Sequence, residues 1–450
     1  MNTPKARKRF PLVAMLIETF GFSPALASAA ALFFAFVCLL AVLWIVRSSP
    51  PHKLVMTSGP EGSSFQRWAD AYQKALAKHG VVLEIRPSSG SLDNLKRLQS
   101  AASGVDIGFV AGGIEKDQNL DGLVSLGSVA YQPIWVFYHG ATPVMNRLSQ
   151  LAGRRVAIGA PGSGTRSIAL ALLQANGIAG APTTFVDLDS GAAAAALLQG
   201  KLDAVFLMGD SAALQTLREL EHAPDVQLFS FVQADAYVRR NTSLNKIELP
   251  EGSLDLGNNL PAHEVVLVGP TVEFVAREGL HSALSDLLLD VAREVHGKAN
   301  LLQKRGEFPA PLEHEFQLSD DAQRYYKSGR SWLYRSIGSF WVASLLNRIL
   351  VAVVPLALVI IPAVRLLPTA YRFNIQLKLY RCYRPLQRLE RESFGSLTAG
   401  RVQELLRELD EIEKTVGRLR VPASFAERFY SLRSYIHFVR ERLKATATTA

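Results

Sequence analysis

Two stretches of the chain place small residues and hydroxyls where a strand runs into a helix. One is KLVMTSGPEGSSFQRWADAYQKAL, from Lys53 to Leu76, and the other is RRVAIGAPGSGTRSIALALL, from Arg154 to Leu173. The first turn of a helix carries N–H groups that no carbonyl of the same helix can satisfy. Such an end attracts an anion, commonly a phosphate or a carboxylate. Ser63, Ser64 and Phe65 stand at the first junction. Gly162, Ser163, Gly164 and Thr165 stand at the second. A third junction, SSGSLDN, contributes Ser89, Gly90, Ser91 and Asn94. The run Gly162–Thr165 is the strongest candidate, because glycine lets backbone approach a ligand closely. Ser63 and Ser64 serve equally well as plain N-caps. Asp210 follows the strand AVFLMG, at the edge where open α/β sheets bind ligands. It would take a ligand amine there, or cap a helix starting in SAALQTL. Tyr131 and Trp135 would line a cleft or fill a sheet core. Arg166 would pair with an anion or project to solvent.

Other chemistry is excluded or left without support. GAPGSGTRS lacks the Gly-Lys-Ser/Thr of a nucleotide-binding phosphate loop, since Thr165 and Arg166 follow Gly164. There is no G-x-S-x-G elbow, and the histidines form no nucleophile–base pattern. The two cysteines, Cys38 and Cys382, give no zinc spacing. The sequence predicts no metal, no cofactor and no catalytic residue. Asp106 and Asp203 begin strands and read as structural; His263 has only a strand-start position.

The elements that carry the junctions repeat. Residues 53–110 alternate strand and helix, with Phe65, Trp68, Ala69, Tyr72 and Leu76 on one helical face. Residues 154–207 follow the same plan, so that KLDAVFL (201–207) matches GVDIGFV (104–110). Alternation of this kind predicts parallel sheets covered by helices. LVSLGSVAYQPIWVFYH (123–139) and HEVVLVG (263–269) cross between the two halves, and two crossings make a hinge.

The chain is 48% hydrophobic, and the apolar residues are concentrated. Ser23–Val46 holds no charge over 24 residues, enough to span a bilayer. Ile349–Val364 is a second uncharged run, bracketed by Arg348 and Arg365, with Trp332 and Trp341 before it. A buried core helix is the alternative for this second run. Residues 1–27 carry a net charge of +3 and residues 371–450 a net of +7, out of +9 in all. The positive-inside rule then puts both tails in the cytoplasm and residues 47 to about 340 outside. The basic excess reads as a topology signal, so no nucleic-acid partner is expected. The first run lacks a small-x-small cleavage site after its core and reads as an uncleaved anchor.

TSGPEGSSFQRWADAYQKAL, PSSGSLDNLKRLQS with VDIGFVAGG, and LAGRRVAIGAPGSGTR with LLQGKLDAVF resemble the TAXI branch of TRAP-transporter solute-binding proteins. The resemblance covers roughly residues 53–326. It implies an α/β two-lobe type II periplasmic-binding-protein fold that closes on a small anionic solute, a carboxylate or amino acid such as glutamate, for TRAP-type uptake. Family members usually have a cleaved signal peptide. This chain resembles a subgroup with an anchor, a second membrane helix and a cytoplasmic tail, with LLPTAYRFNIQLKLYRCYRPLQRLE as the recognisable stretch. The expected layout is a basic N-terminus (1–22), an anchor (23–46), lobe one (53–130 and 262–335), lobe two (135–258), a second span (345–367) and a tail (371–450). The expected site is the inner membrane, with the solute-binding domain periplasmic. Expected partners are the solute, TRAP permease subunits and the membrane. A sensor that signals occupancy to the tail is the alternative.

In the tail, Val402, Leu405, Leu409, Ile412, Val416 and Leu419 step by three and four. Phe425, Phe429, Leu432, Ile436, Val439 and Leu443 do the same. The pattern predicts a helical hairpin, with Ile375, Leu379, Tyr383 and Leu386 as a third helix. It would pack on itself, or offer a dimer or partner interface. Arg372, Lys378, Arg381 and Arg384 would favour anionic headgroups.

Overall fold

The computed structural model describes residues 24–114, 120–140, 144–312, 315–330, 332–395, 399–418 and 425–449. The chain divides into two compact units, Ser49–Ser344 and Met1–Ser48 with Leu345–Ala450. The helical unit begins with α1 (Pro24–Arg47). The α/β unit opens with β1 (Lys53–Thr57), α2 (Ser64–Ala77), β2 (Val82–Arg86), α3 (Ser91–Gln99) and β3 (Ile107–Ala111). β4 (Leu123–Tyr131) and β5 (Ile134–His139) follow. Then come β6 (Arg155–Ala157), α4 (Gly164–Ala175), β7 (Thr184–Val186), α5 (Ser190–Leu198) and β8 (Ala204–Met208). α6 (Leu214–Glu221), β9 (Val226–Leu228), α7 (Ala234–Arg240), β10 (Leu244–Leu249) and β11 (Val265–Arg277) lead to α8 (Ser282–His296), α9 (Asp320–Ser328) and α10 (Trp332–Ser336).

The strand order runs β2-β1-β3-β11-β4 in one half and β7-β6-β8-β5-β9 in the other. In each, three parallel strands are followed by an antiparallel strand from the other part of the chain. This is the two-lobe α/β type II fold that the resemblance implies. Both crossings are made by strands, as the sequence suggests. The first is a single break at Gln132–Pro133 between β4 and β5. The second is β11, longer than the HEVVLVG stretch suggests. Its first part pairs with β10 and its last part with β3 and β4, so one strand runs through both lobes.

The predicted helical face of α2 is buried. Phe65, Ala69, Tyr72 and Leu76 are inaccessible, and Ser63 caps the helix by accepting from the Gln66 N–H. Phe65 and Tyr72 pack on Phe109, and Phe109 packs on Phe274, with ring centroids 5.4–5.6 Å apart. His296 lies edge-on to Trp68 in the same cluster, and burial pushes its pKa down to about 3.

The helical unit continues with α11 (Phe340–Glu392), α12 (Ala399–Gly417) and α13 (Ala426–Thr449). Ala27–Arg47 and Phe340–Pro362 are long and apolar enough to cross a bilayer. The second is no buried core helix: Leu358 and Val359 are exposed. Arg348 donates to the Ile45 carbonyl at 2.6 Å, which ties α11 to α1. Leu379, Leu386 and Leu389 of α11 pack with Leu405, Leu409 and Val416 of α12 and with Leu432, Ile436, Val439 and Leu443 of α13. The heptad seams face inward, and Leu379, Tyr383 and Leu386 add the third helix to the hairpin. Residues 1–22, Leu419, Pro422 and the side chains of Arg365, Arg372 and Ile375 lie outside the described residues.

Candidate functional site

The three junctions sit where the two lobes meet. α3 belongs to the first lobe and α4 to the second. α4 starts from extended backbone at Ser163 and α3 from Gly90 at φ +123°, and the first N–H of each has no partner within its own helix. Both point at one group, the carboxylate of Asp210. Its Oδ2 accepts from the Ser91 N–H at 3.2 Å and from the Gly164 N–H at 2.7 Å. Its Oδ1 accepts from the Thr165 hydroxyl at 3.2 Å and the Ser211 hydroxyl at 2.9 Å. Asp210 is fully buried. Burial pushes its carboxyl above the ordinary carboxylate value, and the four donors act against that shift.

Glycine makes this approach possible at two positions. Gly90, at φ +123°, would place a Cβ 2.8 Å from Asp210 Oδ2, and Gly164 would place one at 2.7 Å. Either side chain would displace the carboxylate. The loop bearing Asp210 is held in turn by Gln132 at the crossover. With its amide oriented to suit its donors, the Gln132 oxygen accepts from the N–H groups of Gly209 at 2.6 Å and Asp210 at 3.2 Å.

Further bonds hold the lobes together around this point. The Ser64 N–H and hydroxyl both donate to the Gly209 carbonyl, at 2.8 and 2.7 Å. The Asp93 N–H donates to the Gly162 carbonyl at 3.0 Å. Ser63 and Ala213 form an isolated bridge. Beside the carboxylate lies a groove of about 480 Å³, lined by Glu61 and Ser89 of one lobe and by Thr165, Asp189, Ser190 and Ser211 of the other.

The candidates therefore divide. Ser64, Gly90, Ser91, Gly162, Gly164, Thr165 and Asp210 come together at the lobe interface. Ser63 and Ser163 cap α2 and α4, accepting from the N–H groups of Gln66 and Arg166 at 3.2 Å each. Ser89 is exposed at the groove, and its N–H donates to Asp93. Phe65 is core rather than cleft, because it is buried against Phe109. Asn94 is committed inside its own lobe: its amide donates to the carbonyls of Ser58 and Phe109 and accepts from Thr57. Tyr131 donates to Glu307 at 2.9 Å and packs on Phe308. Trp135 is buried in the second lobe's core, and Arg166 pairs with Asp187 at the surface. Asp106 accepts from the Val55 N–H and Asp203 from Arg155; both are structural.

Asp210 is not the cap of the helix that follows it. α6 begins at Leu214 with no side-chain cap, and the lone pairs expected to face an amine are taken by the four donors. Gln132 went unmarked in the sequence; its only signal is its place before Pro133, at the end of a long strand. Among the described residues no cluster of three or more His, Cys, Asp or Glu could hold a metal ion.

The NMT1-like family model matches residues 66–247. Among solved structures, the chain is similar to an ancestral arginine-binding protein bound to arginine, with 16% identity over 55% of this chain and 93% of that one, at a TM-score of 0.36. It is similar to the periplasmic aliphatic sulphonate binding protein of Escherichia coli, with 15% identity over 55% and 69% of the two chains, at a TM-score of 0.35. It is also similar to the substrate binding protein of an amino acid ABC transporter, with 16% identity over 54% and 92%, at a TM-score of 0.33. No curated protein matches the chain.

Proposed function

We propose that the protein is a membrane-tethered extracytoplasmic solute-binding protein. Its lobes close on a small solute bearing a carboxylate, an amino acid such as glutamate among them, for TRAP-type uptake. One observation carries this reading: helix N-termini from opposite lobes, with two hydroxyls, converge on a carboxylate. Donors placed this way favour a planar anion and are satisfied only when the lobes meet. α1 and the apolar part of α11 would tether the α/β unit outside, with both basic tails in the cytoplasm.

The test is thermal unfolding of the full-length protein in detergent with a panel of carboxylates, including glutamate, glutamine and dicarboxylates. A solute at a hundredfold its Kd stabilises by about 2.7 kcal/mol. At least one member should raise the melting temperature by several degrees. A panel that shifts nothing refutes the reading. External protease that removes the tail in intact cells refutes the topology.

A sensor is the second reading, favoured by the three-helix cluster at the end of α11. Deleting residues 371–450 should then leave the solute-induced shift intact while removing a cytoplasmic partner.

A further inference from the structure

The donors that a solute carboxylate would use already hold one. Ser91 N–H and Gly164 N–H come from opposite lobes and share Asp210 Oδ2, while Thr165 and Ser211 hold Oδ1. The carboxylate is fully buried and takes both N–H groups, and the groove lined by Thr165 and Ser211 lies beside it. Gly90 and Gly164 leave room for this carboxylate and for no added methyl group. Gln132 holds the 209–210 backbone through the N–H groups of Gly209 and Asp210. Ser64 completes the contact by donating twice to the Gly209 carbonyl.

We propose that Asp210 is an internal ligand: it latches the two lobes shut in the absence of solute, and a solute carboxylate binds by displacing it from Ser91 and Gly164. The inference rests on the solute-binding reading above and adds how that site is regulated. The closed form is the resting form. Solute occupancy is an exchange of one carboxylate for another rather than the filling of an open cleft. The released Asp210 then lies beside the groove formed by Glu61, Ser89, Asp189 and Ser190, where it adds negative charge. An incoming solute that also carries an amine has a partner there, and a dianion is repelled.

The experiment uses the full-length protein in detergent, as wild type, Asp210→Ala and Asp210→Asn. The probe is sodium acetate, with sodium chloride at equal ionic strength as the control. Acetate should raise the melting temperature of D210A saturably, because it refills the position left by the side chain. Wild type and D210N, whose positions are filled, should not respond. Acetate acting on all three alike, or on none, overturns the latch.

If D210A folds only when prepared in acetate, that dependence is the same result. D210N keeps the side-chain volume and gives an independent readout by hydrogen exchange. Its peptides spanning Ser91 and Gly164 should exchange at least about tenfold faster than those of wild type, and unchanged exchange overturns the proposal.

The solute itself separates the two claims. A carboxylate that stabilises wild type should bind D210A at least about tenfold more tightly. Equal affinity would mean that the solute seats elsewhere, so displacement fails while solute binding stands. Acetate rescue with no solute response in any variant leaves the latch standing and removes the solute-binding reading.

Discussion

Glu273 offers a quantitative test of the α/β unit. It lies on β11, the strand shared by both lobes, and is fully buried. Neither carboxyl oxygen completes a hydrogen bond, although Ser125 and the N–H groups of Glu315 and Phe316 face it. Burial, with a smaller contribution from the neighbouring Glu315 carboxylate, pushes its pKa from 4.5 up to about 8. Between those two values the native state keeps a proton that the unfolded chain has released. Stability is therefore fully present below about pH 4.5 and is lost as pH rises towards 8, by about 1.4 kcal/mol per pH unit. From pH 5 to pH 8 the loss is on the order of 4 kcal/mol, or roughly 8 °C in melting temperature for a unit of this size. Glu273→Gln cannot titrate. Melting of the full-length protein in detergent should be followed for wild type and E273Q at half-unit steps of pH. The wild-type curve should fall relative to that of E273Q across this window and run parallel to it above about pH 8. Parallel curves from pH 5 to pH 8 would falsify the protonated, buried state of Glu273.

Three further outcomes follow from named contacts. His296 is held neutral with a pKa of about 3, so the native state refuses a proton that the unfolded chain accepts below about pH 6.5. Stability should drop as pH falls from 6.5 towards 3, and His296→Phe should flatten that acid limb in the same melting experiment. Asn94→Ala removes the partner of the Ser58 and Phe109 carbonyls and of the Thr57 hydroxyl. It should cost roughly 2–5 kcal/mol, seen as a lower melting temperature of the whole α/β unit rather than as a selective loss of solute response. Leu386→Ala empties a fully buried position in the three-helix cluster. It should cost about 2–5 kcal/mol there, read as faster proteolysis of residues 371–450 with melting of the α/β unit unchanged.

Local pattern in the sequence determined the strand–helix alternation, the capped starts of α2 and α4, and the inward seams of α12 and α13. These follow from periodicity and from hydroxyls beside helix starts, which act within a few residues. The same pattern marked the helix ends as sites for an anion. It could not say which anion, because Ser91, Gly164 and Asp210 are brought together only by the meeting of two lobes. Asp210 read as a ligand partner or a cap because three of its four donors lie far away in sequence, on Ser91 of α3 and on Gly164 and Thr165 of α4; only Ser211 is a neighbour. Phe65 and Asn94 sit beside true interface residues in sequence, yet a helix turns each neighbour by about 100°. One step along α2 therefore separates Ser64, facing Gly209, from Phe65, facing the core. β11 was legible as a crossing strand, but neither its full length nor its partners were, since those are set by packing over long sequence separation. Sequence fixes which backbone groups are left unsatisfied; only the tertiary structure decides what satisfies them, and here it is the chain's own carboxylate.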